Sequence, residues 1–364
     1  MTLTFTADDR RHMARALELA ERGLYTTAPN PRVGCVIVRD GEVVGEGWHE
    51  RAGAPHAEVN ALQAAGARAR GAAAYVTLEP CAHHGRTPPC VDALIAASVS
   101  RVVVAMSDPN PQSGEGLKIL EEKGVEVATG LMESEARELN IGFVARMTRG
   151  RPWVRMKIAA SLDGRTALMN GRSQWITGEA ARRDGHHWRA RACAILTGIG
   201  TVRDDDPRLT VREVASARQP LRVVVDSRLE IPAAARILDG GGVLIVAARE
   251  DRDRMRALRD RGAEVVVLPN AAGKVELADL FKELARREVN EVHVEAGFKL
   301  NGSLLGEGMV DELVLYLAPR VIGDAARGMF NLPELTDLSG ARHLAVRDLR
   351  MVGGDIRVIA RSAQ

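Results

Sequence analysis

One histidine, one glutamate and two cysteines with zinc-site chemistry lie close together in the sequence. His56 and Glu58 form a His-Ala-Glu motif, and Cys81 and Cys90 bound the segment Cys-Ala-His-His-Gly-Arg-Thr-Pro-Pro-Cys. Imidazole nitrogen and thiolate sulfur are typical zinc ligands. A structural zinc site has four protein ligands, whereas a catalytic site has three and leaves the fourth position to water. Three ligands beside a glutamate therefore predict a catalytic zinc site.

Hydrolytic deamination is the reaction that such a site would catalyse. Zinc lowers the pKa of bound water to about 7, so hydroxide forms near neutral pH and can attack a carbon of an aminopyrimidine. Zinc deaminases combine a His/Cys/Cys ligand set with a glutamate that transfers protons. We predict that His56, Cys81 and Cys90 bind Zn2+ and that Glu58 is the catalytic acid/base. The alternatives are a four-ligand structural site, completed by a histidine between the cysteines, and two unrelated buried thiols.

The elements that would position these residues can be predicted from local patterns. Thr6 and Asp9 form a capping box, which predicts a helix near the start of the chain. Asp40-Gly41 lies between two apolar runs and predicts a β-hairpin, because its residues tolerate positive φ. Helix and strand patterns alternate along the rest of the chain, with seven predicted strands between 153 and 318. This order is typical of an α/β protein.

The length of the chain and one break in its pattern indicate two domains. With 364 residues, of which 46% are hydrophobic, the chain is long enough for more than one core. A predicted helix over 133–147 is followed by the segment 148–152, which contains Gly and Pro, two residues that break helices and strands. We predict a first domain over 1–147, a linker over 148–152 and a larger α/β domain over 153–364.

The overall composition argues against two classes of partner. A net charge of +2 gives no strong positive field to attract nucleic acid, and no apolar stretch is long enough to span a membrane. The N-terminal segment lacks the basic and apolar regions of a signal peptide. Four cysteines are too few for a disulfide framework in a chain of this length. We expect a cytoplasmic protein that binds neither nucleic acid nor membranes.

Longer motifs resemble the bifunctional deaminase/reductase family of bacterial riboflavin biosynthesis. They are the segments 28–38 and 80–90 with the His-Ala-Glu motif in the first half, and 157–166, 173–177 and 198–207 in the second. The resemblance implies a cytidine-deaminase-like α/β/α domain followed by an α/β domain similar to dihydrofolate reductase. It also implies that the first domain deaminates a diaminopyrimidinone ribosylamino 5′-phosphate, after which the second domain uses NADPH to reduce the ribosyl group to ribityl.

The same resemblance assigns residues to the two sites. In the first domain it gives Asn30, His83 and Arg86 as residues that bind the pyrimidine and its ribose phosphate. The residues that it assigns to NADPH are Ala159, Trp175, Thr201, Asp205, Ser227, Gly297, Phe298, Lys299, Leu300, Asn301, Gly302 and Ser303. The residues that it assigns to the substrate of the reductase are Ser173, Arg189, Leu209, Arg212 and Glu295. We expect Asp205 to be catalytic as well, by handling a proton.

The residue types agree with these roles, although simpler explanations exist for some of them. Arg189 and Arg212 can make charge-assisted hydrogen bonds to a phosphate, and Glu295 can accept hydrogen bonds from sugar hydroxyls. The glycines at 297 and 302 could let a helix N-terminus receive a pyrophosphate, but ordinary strand-to-helix turns also use glycine. The run of three aspartates that contains Asp205 could equally be a turn.

Two other functions would use some of the same features. A deaminase acting on a base in RNA would need a second domain that binds the polynucleotide, which the near-neutral charge and the 3% aromatic content oppose. A non-catalytic scaffold would have a saturated zinc site, no use for Glu58 and a nucleotide-sensing second domain. We expect a small phosphorylated pyrimidine as the binding partner, and we expect the chain to form a homo-oligomer.

Overall fold

The computed structural model describes residues 5–84 and 88–362. By its internal contacts the chain divides into two units, Met1–Gly150 and Arg151–Gln364. The division falls inside the predicted linker segment, but the helix that precedes it extends to Arg149 rather than ending at 147. Gly150 ends this helix in the left-handed region, with φ of 64°, as a glycine after a helix commonly does. The domain boundaries themselves stay a prediction.

Among the described residues, the strands of the first unit form a five-stranded sheet in the order β2-β1-β3-β4-β5. Strand β1 is antiparallel to β2 and β3, and β3, β4 and β5 are parallel. The strands are β1 (Gly34–Arg39), β2 (Glu42–Trp48), β3 (Ala73–Val76), β4 (Arg101–Val104) and β5 (Glu126–Thr129). The helices are α1 (Ala7–Glu21), α2 (Ala57–Ala65), α3 (Cys90–Ala96), α4 (Gly116–Glu122), α5 (Glu133–Leu139) and α6 (Ile141–Arg149).

Helices cover both faces of this sheet. Cys35 and Ile37 of β1 pack in a cluster that contains residues of α2 and α3, whereas Val36 and Val38 pack in a second cluster with residues of α1. Successive side chains of a strand point to opposite faces, so the two clusters lie on opposite sides of the sheet. The predicted α/β/α arrangement of this domain is confirmed.

Two local predictions for the first unit are confirmed as well. Thr6 Oγ1 accepts the backbone N–H of Asp9, and the Asp9 carboxylate accepts the backbone N–H of Thr6, which completes the capping box of α1. Asp40 and Gly41 both have positive φ and connect β1 to β2 as a hairpin. The capping box sets the beginning of α1, and the hairpin sets the register of the first two strands.

The second unit contains, within the part of the chain that is described, a nine-stranded sheet in the order β10-β9-β8-β7-β11-β6-β12-β14-β13. The strands are β6 (Trp153–Ser161), β7 (Ala194–Gly198), β8 (Leu221–Val225), β9 (Val243–Ala247), β10 (Ala263–Val267), β11 (Glu291–Val294), β12 (Glu312–Ala318), β13 (Leu344–Val352) and β14 (Asp355–Ser362). The helices are α7 (Glu179–Arg191), α8 (Ile199–Asp205), α9 (Arg252–Asp260), α10 (Leu277–Arg286) and α11 (Phe298–Gly306).

Strands β6 to β12 are parallel and correspond to the seven strands that the sequence predicts. The antiparallel hairpin of β13 and β14 was not predicted. Parallel strands are buried on both faces and have apolar sequences, whereas β13 is an edge strand whose nine residues are exposed or only partly buried. None of the described helices is long and apolar enough to cross a membrane.

Candidate active sites

The three predicted zinc ligands meet at one point of the first unit. One ligand atom from each of His56, Cys81 and Cys90 lies within 4.8 Å of the other two. His56 Nδ1 is 3.1 Å from Cys90 Sγ and 3.6 Å from Cys81 Sγ. The hydrogen bond from the Cys90 thiol lowers the pKa of Cys81, and His56 adds to this effect. An imidazole beside an easily ionised thiol and a second thiol is a donor set that fits zinc.

The fold brings these ligands together from two connections, the one between β2 and α2 and the one between β3 and α3. His56 is the N-cap residue of α2, Cys90 is the first residue of α3, and Cys81 follows β3. His56 has extended backbone angles, φ −73° and ψ 163°, so it lies just outside the regular helix. Side chains two positions apart in a regular helix point in different directions. The non-helical N-cap therefore lets His56 and Glu58 face the same point.

Glu58 is buried beside this ligand set, with 3% of its surface exposed. Burial raises the pKa of Glu58, and the His56 charge only partly opposes that effect. Glu58 also has a side-chain hydrogen bond with Cys90. A carboxyl whose pKa is raised by burial can gain and lose a proton near neutral pH, which suits it to acid/base catalysis.

The structure connects one of the three predicted substrate residues of this site to the predicted zinc ligand His56, through His49. Asn30 Nδ2 lies 3.1 Å from His49 Nε2, and the His49 ring packs edge-on against His56 with 5.3 Å between the ring centres. His83 is exposed, and its Nδ1 lies 3.3 Å from the carbonyl oxygen of Ser113. Arg86 lies outside the described residues. The roles of Asn30, His83 and Arg86 stay predictions.

Sequence reasoning missed His49 and Asp108, which the structure places near the ligand set. The carbonyl of Pro55 can only accept, so the His49 Nδ1–H donates to it and leaves Nε2 free to accept from Asn30. Burial raises the pKa of Asp108 to about 6, and Cys81 contributes to that shift. Asp108 follows the carboxyl end of β4, an edge where ligands of parallel sheets bind, and that position was a usable signal.

A cavity of about 1390 Å³ opens at the carboxyl ends of the central strands of the second unit. Most of the predicted reductase residues line it. They are Ala159, Ser173, Trp175, Arg189, Thr201, Asp205, Leu209, Arg212, Glu295, Gly297, Phe298, Lys299 and Leu300. Residues of β6, α8 and α11 thus meet at one cavity although they are far apart in the sequence.

Four of the residues predicted to contact NADPH do not line this cavity. Ser227 Oγ accepts the backbone N–H of Val275, and Asn301 is buried. A Cβ at Gly302 would lie 2.1 Å from the Asn331 carbonyl oxygen, so packing within the chain already requires glycine there. The Ser303 hydroxyl donates to the carbonyl of Lys299, one helical turn earlier. Their assignment to the cofactor stays a prediction.

Arg189 and Glu295, which both line the cavity, form an ion pair with two hydrogen bonds. Arg189 Nη2 lies 2.9 Å from Glu295 Oε2, and Arg189 Nε donates to Oε1. Burial alone would raise the pKa of Glu295, but the Arg189 guanidinium holds it well below its usual range. Glu295 is therefore an ionised acceptor. Lys157, which sequence reasoning did not assign, also lines the cavity, and burial lowers its pKa.

Asp205 is in a different electrostatic environment from Glu295. It is the last residue of α8, and Ser173 Oγ donates to its Oδ1 over 3.1 Å. Burial raises the pKa of Asp205, and the neighbouring Asp204 adds to the rise. A carboxyl with a raised pKa can hold a proton at higher pH than usual, which agrees with the predicted proton-handling role.

Comparisons with known proteins match both halves of the chain. A family described as "RibD C-terminal domain" matches residues 152–357, and one described as "Cytidine and deoxycytidylate deaminase zinc-binding region" matches residues 6–106. The riboflavin biosynthesis protein RibD of Escherichia coli is 50% identical over 361 residues, covering 96% of this chain and 98% of the relative. RibD of Haemophilus influenzae is 45% identical over 98% of each chain.

Solved structures of similar proteins cover the same length. RibD of Acinetobacter baumannii has a TM-score of 0.92 and 44% identity, covering 98% of this chain and 99% of that one. A diaminohydroxyphosphoribosylaminopyrimidine deaminase/5-amino-6-(5-phosphoribosylamino)uracil reductase of Thermotoga maritima has a TM-score of 0.87 and 32% identity over the same shares. Both likenesses extend over the two units rather than over one of them.

Proposed function

The chain belongs to the RibD family of riboflavin biosynthesis proteins, and we propose that its first domain carries out the deamination and its second domain the reduction of that family. It is a zinc-dependent aminopyrimidine deaminase and an NADPH-dependent reductase. The first reaction removes an amino group from a diaminopyrimidinone ribosylamino 5′-phosphate, and the second reduces the ribosyl group to ribityl. The observation that supports one reaction in each domain is that the first unit contains three residues able to bind zinc and the second unit contains a large cavity.

In the first domain, the residues supply metal ligands and proton transfer. His56, Cys81 and Cys90 would hold zinc, which when bound makes water acidic enough to ionise near neutral pH. Glu58 accepts a proton from the attacking water and delivers it to the leaving amine, which departs as ammonia. Burial raises the pKa of Glu58, which favours uptake of the proton that it then delivers. Asn30, His83 and Arg86 are proposed to hold the pyrimidine and the ribose phosphate.

In the second domain, the cavity brings cofactor and substrate groups together. NADPH, when bound, supplies a hydride. Trp175, Thr201 and the segment 297–300, which line the cavity, would hold the cofactor. Ala159 lines the cavity with them. Asp205 is proposed to supply the proton that accompanies the hydride, because burial raises its pKa.

The substrate of the reductase is proposed to be held through its phosphate and its sugar hydroxyls. Arg212 lines the cavity and carries a guanidinium suited to two parallel hydrogen bonds with a phosphate. Glu295, ionised beside Arg189, accepts hydrogen bonds from the sugar. Ser173 and Leu209 line the same cavity. The phosphate thus contributes binding energy without taking part in the reaction.

We propose that the chain forms a homo-oligomer through the edge of the second sheet. Four apolar side chains of β13 are 41–66% exposed: Leu344, Val346, Leu349 and Met351. An exposed apolar edge strand is a ready partner for another strand, which soluble proteins usually avoid leaving uncovered. A second copy of the chain would cover it. Sedimentation of the purified protein would give a monomer mass if this proposal is wrong.

A cytoplasmic location and a small-molecule partner complete the proposal. The cysteines at 35, 81, 90 and 193 are free thiols. Two of them would bind zinc, and thiols stay reduced in the cytosol. A net charge of +2 offers no strong field for nucleic acid, which agrees with a phosphorylated pyrimidine as the partner.

The experiment that tests the function follows two products with the purified protein. The diaminopyrimidinone substrate should release ammonia with or without NADPH. NADPH should be oxidised only when that substrate or its deaminated product is present. Ammonia release that requires NADPH, or NADPH oxidation without ammonia release from the diamino substrate, would contradict the proposed order of reactions.

A further inference from the structure

The segment 209–212, which contains Arg212, has an unfavourable backbone conformation that contacts with the rest of the domain must stabilise. Leu209 has a φ of 49°, in the left-handed region that disfavours residues other than glycine. Leu209 is 3% exposed and Val211 is 6% exposed, so their side chains anchor the segment in the core. Arg212 itself is exposed, and its Nη1 donates to Thr210 Oγ1 over 2.9 Å. The direction of Arg212 therefore depends on how the backbone of this short segment is held.

The side-chain amide of Gln219 makes two hydrogen bonds to the backbone of this segment, in the pattern that a neighbouring β-strand would make. The backbone N–H of Val211 donates to Gln219 Oε1 over 2.8 Å, and Gln219 Nε2 donates to the carbonyl of Val211 over 3.1 Å. One side-chain amide thus satisfies both backbone groups of the residue before Arg212. A side chain that makes both bonds fixes the backbone in position and in orientation.

His186 of α7 holds the next backbone group. Its Nδ1 accepts the N–H of Arg212 over 3.2 Å, and His186 is 7% exposed and does not line the cavity. Burial lowers the pKa of His186 to about 4, and the charges of Arg189, Arg212 and Lys157 act in the same direction while Glu295 opposes them. The imidazole is therefore neutral near pH 7, and its Nδ1 is available as an acceptor.

We propose that His186 and Gln219 are positioning residues for the substrate phosphate. Neither lines the cavity, but together they fix the backbone at Val211 and Arg212. This inference rests on the proposed role of Arg212. It assigns to His186 and Gln219 a share of the affinity for the phosphorylated substrate, and no share of hydride transfer or of NADPH binding.

The test compares two substitutions of His186 in the full-length protein. In His186→Leu the acceptor is lost, whereas in His186→Asn a carbonyl oxygen stands at the same distance along the side chain as Nδ1. His186→Leu should raise KM for the deaminated, phosphorylated substrate about 3- to 10-fold, with kcat and the KM for NADPH within about twofold of wild type. His186→Asn should return KM toward the wild-type value. His187→Leu, at an exposed neighbour on the same helix, is the control.

Two further variants keep the outcome decisive. Gln219 is exposed, so Gln219→Leu should fold, and it should raise the same KM by a similar factor. Adding His186→Leu to Arg212→Ala should change KM no further, because the residue that His186 positions is already absent. Wild-type KM in both His186→Leu and Gln219→Leu, or an undiminished effect in the double variant, would overturn the inference. If Arg212→Ala alone leaves KM unchanged, the proposed phosphate role of Arg212 fails instead.

Discussion

Arg189 donates two hydrogen bonds to Glu295 in the reductase cavity, from Nη2 to Oε2 at 2.9 Å and from Nε to Oε1. Both side chains are 14% exposed, so water screens the pair only weakly. A planar guanidinium can make two parallel bonds to a carboxylate, whereas an ammonium group cannot. The contact keeps Glu295 ionised. It also occupies the Arg189 guanidinium, which could otherwise bind a ligand in the cavity.

Arg189→Lys should therefore change the pH dependence of the reduction. An ammonium group in place of the Arg189 guanidinium stabilises the Glu295 carboxylate less, so the pKa of Glu295 should rise. The acid limb of the kcat/KM profile should then move to higher pH. At neutral pH we expect kcat/KM to fall roughly 10-fold or more. Rates of NADPH oxidation across the pH range measure both effects. An unchanged profile would mean that Arg189 does not control Glu295.

Cys81→Ser should separate the two activities. Loss of a thiolate ligand should lower the zinc content and reduce the deaminase rate at least about 10-fold, since even residues that only support ligands have effects of that size. Reduction of pre-deaminated substrate should stay near the wild-type rate. Cys193→Ser, in the second unit, is the matched control. Equal loss of both activities would indicate one composite site.

Arg212→Ala should raise KM for the phosphorylated substrate roughly 10- to 150-fold, because a hydrogen bond to a charged group contributes about 1.5 to 3 kcal/mol. The KM for NADPH should change little. Steady-state kinetics with the phosphorylated substrate and with a dephosphorylated analogue measure the difference, since the analogue has no dianion to lose. A weaker affinity for NADPH instead would make Arg212 a cofactor residue.

Stability at low pH should depend on His186. In the unfolded chain its pKa is near 6.5, whereas in the folded chain it is about 4, so the unfolded chain binds the extra proton first as pH falls. Stability is therefore lost between pH 6.5 and 4. The loss should be about 3 kcal/mol, because one pKa unit corresponds to about 1.4 kcal/mol.

His186→Asn removes this titration and keeps an acceptor for the Arg212 N–H. Its stability relative to wild type should thus improve as the pH falls from about 6.5 to about 4. Denaturant unfolding followed by tryptophan fluorescence can measure this, because three of the four tryptophans, Trp153, Trp175 and Trp188, lie in the second unit. A constant difference between the two proteins across this range would show that His186 does not titrate as described.

The cluster of His56, Cys81 and Cys90 could be predicted because zinc ligation is specific to a few residue types in short motifs. His49 could not, because a histidine is not unusual by itself, whereas Asp108 could have been found from its position after the carboxyl end of β4. The glycine at 302 shows that one residue can fit two explanations. Its spacing resembles that of a phosphate-binding loop, yet its neighbour in the structure is the Asn331 carbonyl.

The parallel strands of the second unit could be predicted from their continuous apolar runs, whereas the hairpin of β13 and β14 could not. Val346, Leu349 and Met351 are apolar but 60–66% exposed, so their pattern does not mark a buried face. His186 and Gln219 are a further case, because backbone hydrogen bonds made by side chains across the fold leave no local pattern in the sequence.

The most direct test of two successive sites uses Glu58→Gln with two substrates. This substitution keeps the zinc ligands and removes the group that transfers protons, so ammonia release should fall by at least roughly 10²-fold. With the diamino substrate, NADPH oxidation should fall with it. With the pre-deaminated substrate, NADPH oxidation should proceed at the wild-type rate. Near-normal ammonia release would contradict the role of Glu58, and loss of NADPH oxidation with the pre-deaminated substrate would contradict the assignment of deamination and reduction to separate domains.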